Sequence, residues 1–346
     1  MAGPRHSIGK RTTIYDLAAL AGASPTAVSA VLNGTWRKRR ISVALADRII
    51  KLAREQNFSI NMQASALRRE GSHLIGMLVP KYDNRYFGLI AEQFEMRARD
   101  AGLFPMITCT RRNPELELQA AQAMISHQVD CLISTGATDP DRISALCKAS
   151  GVRSFNLDLP GRLAPSVISD NYEGALTLTR RILADTAAER LPGEPLIFIG
   201  GRISDHNTSE RLRGFRDAHA EAGITVSDDL VHAQGYAQDK AAAALTQYLA
   251  QNSHVPKGIF VTSTITLEGV MRVMHEHPAY QNSPPFIGCF DWDPVLELLP
   301  TRIVMVRQDV ETMLKTLFDL IGSPAPAAEI TMIPTIAHFE KTAAAS

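Results

Sequence analysis

Four consecutive basic residues, Arg37-Lys-Arg-Arg40, follow Trp36 in the first part of the chain. Guanidinium and ammonium groups at this density neutralise the phosphates of a nucleic acid and release its counterions, so that binding depends strongly on salt. Residues 1–72 carry twelve Lys and Arg against four Asp and Glu, a net charge of +8, and the remainder carries −8. A basic head on an acidic body predicts a nucleic-acid-binding domain joined to a second domain. The alternative for the run by itself is a solvated turn.

Two short helical patterns precede this basic run. Thr13 and Asp16 have the spacing of a capping box, and Ser24 followed by Pro25 is typical of a second helix start. The apolar residues that would face each other are Leu17, Leu20 and Ala21 on the first pattern and Val28, Val31 and Leu32 on the second. Two short helices joined at Gly22 predict a helix-turn-helix, whose second helix fits a major groove. Such a pair is more often ordinary helix packing, but the surrounding positive charge favours DNA binding.

A third helix and a short segment complete the predicted head. Ser42 would cap a helix that runs to about Asn57 and buries an apolar stripe. Residues 61–69 have weak helical potential and little apolar surface, so they need a partner surface to become helical. The alternative for residues 61–69 is a plain linker.

From Leu74 onward, apolar strand-like runs alternate with helix-length segments. The predicted strands are Leu74–Val79, Phe104–Thr108, Cys131–Ser134, Ser154–Leu157, Leu196–Ile199, Gly258–Val261, Phe286–Phe290 and Ile303–Val306. The predicted helices cover 88–101, 114–127, 172–184, 209–222, 237–250 and 267–275. This alternation predicts an α/β fold of parallel sheets with helices on both faces, divided into two half-domains. Ligands of such sheets bind beyond the carboxyl ends of the strands.

Composition and motifs argue against several other classes of protein. No apolar stretch reaches 18 residues and the first residues have no apolar core, so we expect a cytoplasmic protein without a membrane partner. The four cysteines show no CxxC spacing, and Cys109, Cys131 and Cys289 lie in or beside apolar strand-like runs, where buried thiols are expected. Motifs of the GxGxxG, P-loop and GxSxG types are absent from the sequence, and His275 with His277 lacks the HExxH spacing. We therefore expect no enzyme activity, no cofactor and no metal site.

Several short motifs occur in a fixed order between residues 12 and 340. They are Thr13-Ile-Tyr-Asp-Leu-Ala18, Ala21-Gly-Ala-Ser24, Val28-Ser29, Val31-Leu-Asn-Gly34, Arg54-Glu-Gln-Asn-Phe58, Asn61, Ala64, Leu67, Leu74-Ile-Gly-Met-Leu-Val-Pro80, Gly200, Arg211-Leu-Arg-Gly-Phe215 and Gly288 to Asp291. Together they resemble the lactose/galactose repressor family of transcriptional regulators. The extra residues between Gly34 and Ser42, and the pair Thr262-Ser263, resemble the fructose repressor branch.

The resemblance implies a domain organisation. A helix-turn-helix DNA-binding domain is expected over residues 11–60, a hinge helix over 61–72, and a two-lobed effector-binding and dimerisation domain over 73–342. The last domain would be similar to a periplasmic sugar-binding protein. Lobe one is expected at residues 74–171 and 304–322, and lobe two at 172–303 and 330–340. The chain would cross between the lobes near Asn171, Val304 and Gly322.

The resemblance also implies the DNA contacts. Base edges would be contacted by Pro25, Thr26 and Ala30, of which only Thr26 has a polar group, so the others could contact only thymine methyls. Phosphate contacts are expected from Thr13, Tyr15, Ser24, Ser29, Asn33, Arg37, Arg39, Arg40 and Ser42. At the hinge, Leu67 matches a leucine that wedges into a minor-groove step, with Ala64 packed nearby.

A ligand pocket between the lobes is implied at twelve positions. They are Asn84, Tyr86, Phe87, Thr135, Asp158, Asp205, Asn207, Arg211, Tyr236, Ser263, Asp291 and Gln308. Aromatic faces suit the C–H surfaces of a sugar, and carboxylates, amides and an arginine suit its hydroxyls or a phosphate. A surface ion pair is the alternative for Arg211, and a strand-end cap is the alternative for Asp158. Leu159 stands where the fructose repressor has an arginine, which leaves open whether the ligand is phosphorylated.

The expected partners follow from the same resemblance. A homodimer would bind a palindromic DNA operator, with a sugar or sugar phosphate as effector, and the protein would act as a repressor. The residues after Glu340 are too few for heptads, so a tetramer held by the tail is not expected. The alternatives are a regulator of the same fold that responds to a purine or another metabolite, and a sugar-binding protein without a regulatory role.

Overall fold

The computed structural model describes residues 12–56, 58, 71–252, 254–278, 280, 284–298, 302–324 and 326–339. The chain divides between Ser72 and His73 into two compact units, the head and the body. Residues 59–70, which include the predicted hinge positions Ala64 and Leu67, lie outside the described residues.

The head contains helices α1 (Ile14–Ala21), α2 (Pro25–Leu32) and α3 (Val43–Glu55). The predicted capping box is present: the Thr13 hydroxyl accepts from the Asp16 amide, and the Thr13 amide donates to the Asp16 carboxylate at 2.8 Å. Gly22 ends α1 in the left-handed region at φ 61°, which glycine adopts without a Cβ clash. Leu17, Val28 and Ile49 are fully buried between the helices. The predicted helix-turn-helix is therefore confirmed.

The body is built from alternating strands and helices. In chain order they are β1 (Leu74–Val79), α4 (Arg85–Asp100), β2 (Phe104–Cys109), α5 (Pro114–Ser126), β3 (Cys131–Thr135), α6 (Pro140–Ala149), β4 (Arg153–Leu157), β5 (Ser166–Ser169), α7 (Asn171–Asp185), β6 (Ile197–Ile199), α8 (His206–Glu221), β7 (Val231–His232), α9 (Gln238–Gln251), β8 (Gly258–Val261), α10 (Thr264–Glu276), β9 (Phe286–Phe290), α11 (Pro294–Glu297), β10 (Ile303–Arg307), α12 (Val310–Gly322), β11 (Ile330–Ile333) and β12 (Ile336–His338). The alternation predicted from the sequence is confirmed, with helices that begin up to three residues earlier than expected.

These strands form two six-stranded sheets, one in each lobe. Lobe one has the order β11-β5-β4-β3-β1-β2, and lobe two has the order β12-β10-β9-β8-β6-β7. The pairings within the sheets are parallel except for that of β10 with β12. Strands β3, β8 and β9 are buried along their whole length because helices cover both faces. The two lobes therefore repeat one strand order around the same kind of core.

Two of the three expected chain crossings lie elsewhere. The crossing near Asn171 is confirmed, because β5 belongs to lobe one and α7 packs on the sheet of lobe two. Strand β10 pairs in lobe two, with Ile303 opposite Ile287, so the second crossing falls at Gln308 rather than at Val304. The last segment splits into β11 of lobe one and β12 of lobe two, which moves the third crossing from Gly322 to residues 334–335. A short apolar strand can pair in either sheet, so its sequence does not specify the lobe.

Within the described part of the chain, no single helix is long and apolar enough to span a membrane. Helices α1 and α2 reach that length and composition only when taken together, across a bend of 101°.

Candidate functional site

The head presents polar side chains from α2 and its flanks. Thr26 is exposed in the first turn of α2, and Tyr15 on α1 is 72% exposed. The Ser24 hydroxyl caps α2 by accepting from the Ala27 amide at 3.1 Å. The hydroxyls of Thr13 and Ser42 cap α1 and α3 in the same way. These hydroxyls therefore hold the helix starts in place while remaining at the surface.

Two other predicted DNA-contacting residues bond to each other on α2. The side-chain Nδ2 of Asn33 donates to the Ser29 hydroxyl at 3.2 Å, and both side chains are half-buried. Pro25, at the first position of α2, is also half-buried. The surface groups that α2 and its N-cap expose most are therefore those of Thr26 and Ser24.

Ala30, a predicted base-contacting residue, is buried. Its side chain is only 4% exposed, and its carbonyl accepts hydrogen bonds from the Thr35 amide at 2.9 Å and from the Thr35 hydroxyl at 3.3 Å. The chain after α2 is thus bonded back to the helix end. A contact of the Ala30 methyl group with a thymine methyl would require these residues to rearrange on DNA, and it stays a prediction.

The basic run forms an ordered turn. The Trp36 ring packs against the head core, and its carbonyl accepts from the amides of Arg39 at 3.1 Å and Ile41 at 3.2 Å. The Arg37 guanidinium lies 5.1 Å from the Trp36 ring centroid, and Arg40 adopts a left-handed φ of 55°. The side chains of Arg37, Arg39 and Arg40 are exposed on this turn. The head thus holds a cluster of cations on a fixed backbone.

In the body, residues from both lobes surround one cleft of about 620 Å³, part of which is open to solvent. Ten of the twelve predicted positions line this cleft: Asn84, Tyr86, Phe87, Asp158, Asn207, Arg211, Tyr236, Ser263, Asp291 and Gln308. They lie beyond the carboxyl ends of the strands, as expected for parallel sheets.

Helix starts position several of these side chains. The Asn84 side chain caps α4 by accepting from the Tyr86 amide at 2.9 Å, which directs Tyr86 and Phe87 into the cleft with their ring centroids 5.0 Å apart. Ser263 caps α10 in lobe two by accepting from the Thr266 amide at 3.3 Å. Both lobes therefore use a helix N-terminus to line the cleft.

The loop between β6 and α8 requires glycine. Gly200 and Gly201 have φ values of 100° and 81°, a region that favours glycine. A Cβ on Gly201 would lie 2.5 Å from the Thr208 hydroxyl oxygen. That hydroxyl accepts from the Arg202 amide at 2.9 Å and bonds to the Tyr236 hydroxyl at 2.9 Å. The tight turn thus brings Arg202 and Tyr236 to the same wall of the cleft.

Arg211 lines the cleft and is only 3% exposed. Its Nε donates to Asn171 Oδ1 at 2.8 Å, and its Nη1 donates to the Thr262 carbonyl at 2.6 Å. The guanidinium carbon stacks 3.7 Å from the ring centroid of Phe290. A guanidinium held by two acceptors and a ring is fixed in orientation, so the surface ion pair considered for Arg211 is excluded.

Asp158 connects the two lobes. It follows β4 in lobe one, and its Oδ1 accepts from the Tyr86 hydroxyl at 3.1 Å and from Asn207 Nδ2 of lobe two at 3.0 Å. Burial raises the pKa of this carboxyl, although Arg112 and Arg211 oppose the shift. Its backbone is left-handed at φ 72°, which is uncommon for a residue other than glycine. Such backbone strain concentrates at functional sites.

Asp291 occupies the equivalent position in lobe two, directly after β9. It is 6% exposed, has a φ of 97° and accepts a hydrogen bond from Gln308 Nε2. Burial raises the pKa of Asp291 to about 6, while Arg211 lowers it. Each lobe thus places one buried carboxylate with a left-handed backbone in the cleft that Arg211 also lines.

Two predicted positions do not line the cleft. Thr135, at the end of β3, is buried, and its hydroxyl has no hydrogen-bond partner among the described residues. Asp205 precedes α8 and pairs with Arg112, a lining residue of lobe one, at 3.4 Å. Asp205 therefore acts on the cleft through Arg112.

Sequence reasoning missed six lining residues: Pro80, Lys81, Arg111, Arg112, Arg202 and Ile265. Arg111 and Arg112 follow β2, and Arg202 follows β6, so the strand-end position was a signal that could have identified them. Sequence alone did not show that these strand ends meet across the cleft.

Among the residues that the structure describes, three polar side-chain contacts join the lobes. Besides the bond from Asn207 to Asp158, Arg112 pairs with Asp205, and Arg85 pairs with Asp293 at 2.9 Å. Residues of both lobes line the cleft, so a ligand that fills it can contact both sides of this boundary. The arrangement is therefore suited to linking ligand binding to the relative position of the lobes.

The chemistry of the cleft is that of binding. Buried carboxylates, amides and an arginine beside aromatic rings provide directional partners for a polyhydroxylated molecule. Among the described residues, no group of three or more His, Cys, Asp or Glu side chains could hold a metal ion.

The body resembles proteins of known structure. Residues 75–296, which are more than half of the chain, match the periplasmic binding protein domain family. The lac repressor dimer, solved with its operator and an anti-inducer, superposes with a TM-score of 0.78 at 19% identity and covers 95% of this chain and 98% of the repressor. The Cra regulator of Pseudomonas putida, solved with fructose 1-phosphate, gives a TM-score of 0.69 at 19% identity over 77% of this chain and 97% of that protein.

Relatives found by sequence similarity are also regulators. The ribitol operon repressor of Klebsiella aerogenes is 62% identical over 193 residues, which are 56% of this chain and 72% of the relative. The sucrose operon repressor of Klebsiella pneumoniae is 31% identical over 90% of this chain and 92% of its own length. The fructose operon regulatory protein of Vibrio cholerae is 27% identical over 86% of this chain and 90% of its own length. The fructose regulator expected from the sequence is thus among the relatives, at lower identity than the ribitol and sucrose repressors.

All three relatives are named as regulators of operons, which is a non-enzymatic role. In this chain the helix-turn-helix head precedes the two-lobed body, in agreement with these similarities. The chain belongs to the lactose/galactose repressor family of transcriptional regulators.

Proposed function

We propose that this regulator binds a palindromic operator as a homodimer in the cytoplasm, and that a sugar or sugar phosphate in the cleft controls its affinity for DNA. The observation that carries this proposal is the cleft itself, which is lined by Arg211 and by one carboxylate from each lobe. The exposed basic turn of the head supports the DNA-binding part.

On the DNA side, few base contacts are available to a single head. Thr26 is the exposed polar side chain in the first turn of α2, and Ala30 is buried. Phosphate contacts and DNA shape must therefore supply much of the affinity. Two copies of such a head on a two-fold symmetric site would double the number of contacts, which favours a dimer.

On the ligand side, the geometry suits hydroxyl groups. The carboxylates of Asp158 and Asp291 accept, Arg211 donates, and the rings of Tyr86 and Phe87 offer apolar faces. The ribitol, sucrose and fructose in the names of the relatives are polyhydroxylated molecules. This supports a ligand of the same chemical class.

Signalling follows from the position of the cleft between the lobes. Asp158 belongs to lobe one, and Arg211 and Asp291 belong to lobe two, so a bound ligand favours the arrangement of lobes in which it contacts all three. A ligand shifts such an equilibrium only by its differential affinity for the two arrangements. The predicted hinge with its wedge residue Leu67, which lies outside the described residues, would transmit the shift to DNA. That hinge role remains part of the proposal.

The experiment combines both sites in the full-length protein. Operator fragments are selected from genomic DNA by binding, and the affinity is then measured with and without ribitol, sucrose, fructose and their phosphates. We expect at least one of these compounds to change the operator affinity, with a typical coupling of about 1–3 kcal/mol. Absence of specific DNA binding, or absence of any effect of these compounds, contradicts the proposal.

A further inference from the structure

We infer that the effector carries a phosphate monoester, which binds at a basic rim formed by Lys81, Arg111, Arg112 and Arg202, while its hydroxyls bind the buried groups around Arg211. This inference rests on the proposed function and adds the charge and the orientation of the ligand.

Positive and negative side chains occupy different depths of the cleft. Five basic residues line it, against the two carboxylates Asp158 and Asp291. Those carboxylates are at most 6% exposed, whereas Lys81 and Arg111 are exposed and Arg112 and Arg202 are half-buried. At the outer part, Lys81 pairs with Asp83 at 3.9 Å and Arg112 pairs with Asp205 at 3.4 Å, which leaves the charges of Arg111 and Arg202 in excess. The inner part combines both carboxylates with Arg211.

This separation fixes where an anion can bind. A phosphate near Asp158 and Asp291 would meet like charge in a buried region, which costs free energy. At the rim it meets guanidinium groups, which bind phosphate oxygens with strong, directional hydrogen bonds. A phosphorylated ligand thus enters with its hydroxyl-bearing end inward and its phosphate outward.

Contacts with neighbouring side chains hold part of the rim in place. The Arg112 guanidinium lies 5.9 Å from the ring centroid of Phe87 and 5.4 Å from that of Tyr236, and it pairs with Asp205 at 3.4 Å. Its side chain is only 14% exposed. A guanidinium held between two rings and a carboxylate has a defined orientation toward the cleft.

The backbone of the rim is also constrained on both sides. Arg111 and Arg112 have successive left-handed φ values of 55° and 52°, a conformation that persists only where the surrounding structure enforces it. Across the cleft, the Arg202 amide is bonded to the Thr208 hydroxyl, and Arg202 forms a β-bridge with Gln234. The backbone that carries these arginines is thus constrained in both lobes.

The test compares phosphorylated and neutral members of two ligand pairs by calorimetry on the full-length protein. The pairs are ribitol with ribitol 5-phosphate and fructose with fructose 1-phosphate. For the pair that fits, we expect the phosphorylated member to bind about tenfold or more tightly than its parent, since hydrogen bonds to charged groups contribute on this scale. Because the rim is partly exposed, this preference should decrease as the salt concentration rises.

Single substitutions then locate the phosphate. Arg111→Gln and Arg202→Gln should each weaken the phosphorylated ligand about tenfold more than they weaken its neutral parent. Arg142→Gln is the matched control, because Arg142 is an exposed arginine of lobe one, outside the cleft lining, that pairs with Glu115 at 3.5 Å. It should change neither affinity.

The outcomes separate this inference from the proposed function. If the neutral member binds as tightly as the phosphate, or if both rim variants retain the preference for phosphate, the inference is wrong and the proposed sugar response stands. If no member of either pair binds and sucrose and its phosphate also fail to bind, both the inference and the proposed sugar response fail.

Discussion

The head and the body hold their functional groups in opposite environments. In the head, Arg37, Arg39 and Arg40 are exposed side chains on a turn anchored by Trp36. In the body, Arg211 is 3% exposed and is bound on several sides. Salt therefore screens the electrostatic interactions of the guanidinium groups in the head. In the body, the hydrogen-bond partners of Arg211 fix the orientation of its guanidinium group.

This difference has a mechanistic consequence. An exposed cationic cluster attracts DNA of any sequence, and its contribution depends on the ionic strength. A buried group contributes through orientation, and its carboxylate neighbours have raised pKa values that make the cleft sensitive to pH. DNA binding and ligand binding should therefore respond to different perturbations, and the following variants test that separation.

The largest effect is expected from removing the charge of the basic turn. The triple variant Arg37→Gln, Arg39→Gln, Arg40→Gln should lose roughly a hundredfold in DNA affinity at low salt and lower the salt slope by up to about 2.7, since each phosphate contact contributes about 0.9. Its ligand affinity should be unchanged. Fluorescence anisotropy with an operator fragment over a salt series measures both quantities.

A matched control removes three exposed arginines of the body: Arg142, Arg180 and Arg216. If this control lowers the salt slope as much as the head variant does, DNA binding does not depend on the basic turn in particular.

The next effect concerns Arg211. Arg211→Ala should bind operator as the wild type does but lose the response to ligand, a change of about 5- to 150-fold for a typical coupling of 1–3 kcal/mol. The substitution leaves Asn171 and the Thr262 carbonyl without their donor, so thermal unfolding must be measured alongside. Arg211→Lys keeps the charge and tests the same point with less structural loss.

Operator titration in the presence of ligand decides this prediction. If both Arg211 variants fold and still show the full wild-type response to ligand, then Arg211 does not anchor the ligand.

A third prediction uses the raised pKa of Asp291, about 6 against an ordinary value of 3.8, which arises mainly from burial. Between these values the folded protein keeps a proton that the unfolded chain releases, so the free energy of unfolding falls as pH rises through this window and is level above it. At pH 7 the shift corresponds to about 3 kcal/mol of lost stability. Asp291→Asn should therefore be more stable than the wild type at pH 7, and the difference should shrink toward pH 4.

Denaturant unfolding at several pH values measures this difference, and Asp100→Asn, at an exposed position, is the control. A constant difference between pH 4 and pH 7 would contradict the assignment. Ligand affinity of Asp291→Asn should fall, because the carboxylate no longer accepts hydroxyl groups as a charged partner.

The smallest effect is expected within the head, between two residues of α2. Thr26→Ala should cost about 1 kcal/mol of operator affinity and relax the sequence preference at one base pair of each half-site. Ala30→Ser should leave the preference unchanged because this side chain is buried. If Ala30→Ser alters base preference and Thr26→Ala does not, the residues that follow α2 must rearrange on DNA.

Local sequence signals predicted the elements well. Capping residues such as Thr13, Ser24 and Ser42 marked the starts of the head helices, and continuous apolar runs marked the buried strands. Both signals depend on neighbours in sequence, because a cap is bonded within three residues and a strand buried on both faces is apolar throughout. The boundaries were less accurate: α4 and α8 each begin three residues earlier than their apolar patterns do.

The basic head, the α/β class of the body and the strand-end positions of most groups in the cleft could be predicted from the sequence. The pairing of β10 in lobe two, the division of β11 and β12 between the lobes, the burial of Ala30 and the contact of Arg112 with Asp205 could not, and they became visible in the fold. The two groups of features differ in the sequence separation of the residues that determine them. Caps and periodicity are set within a few residues, whereas strand pairing and contacts between lobes depend on which distant segments share a core, and short apolar strands do not encode that choice locally.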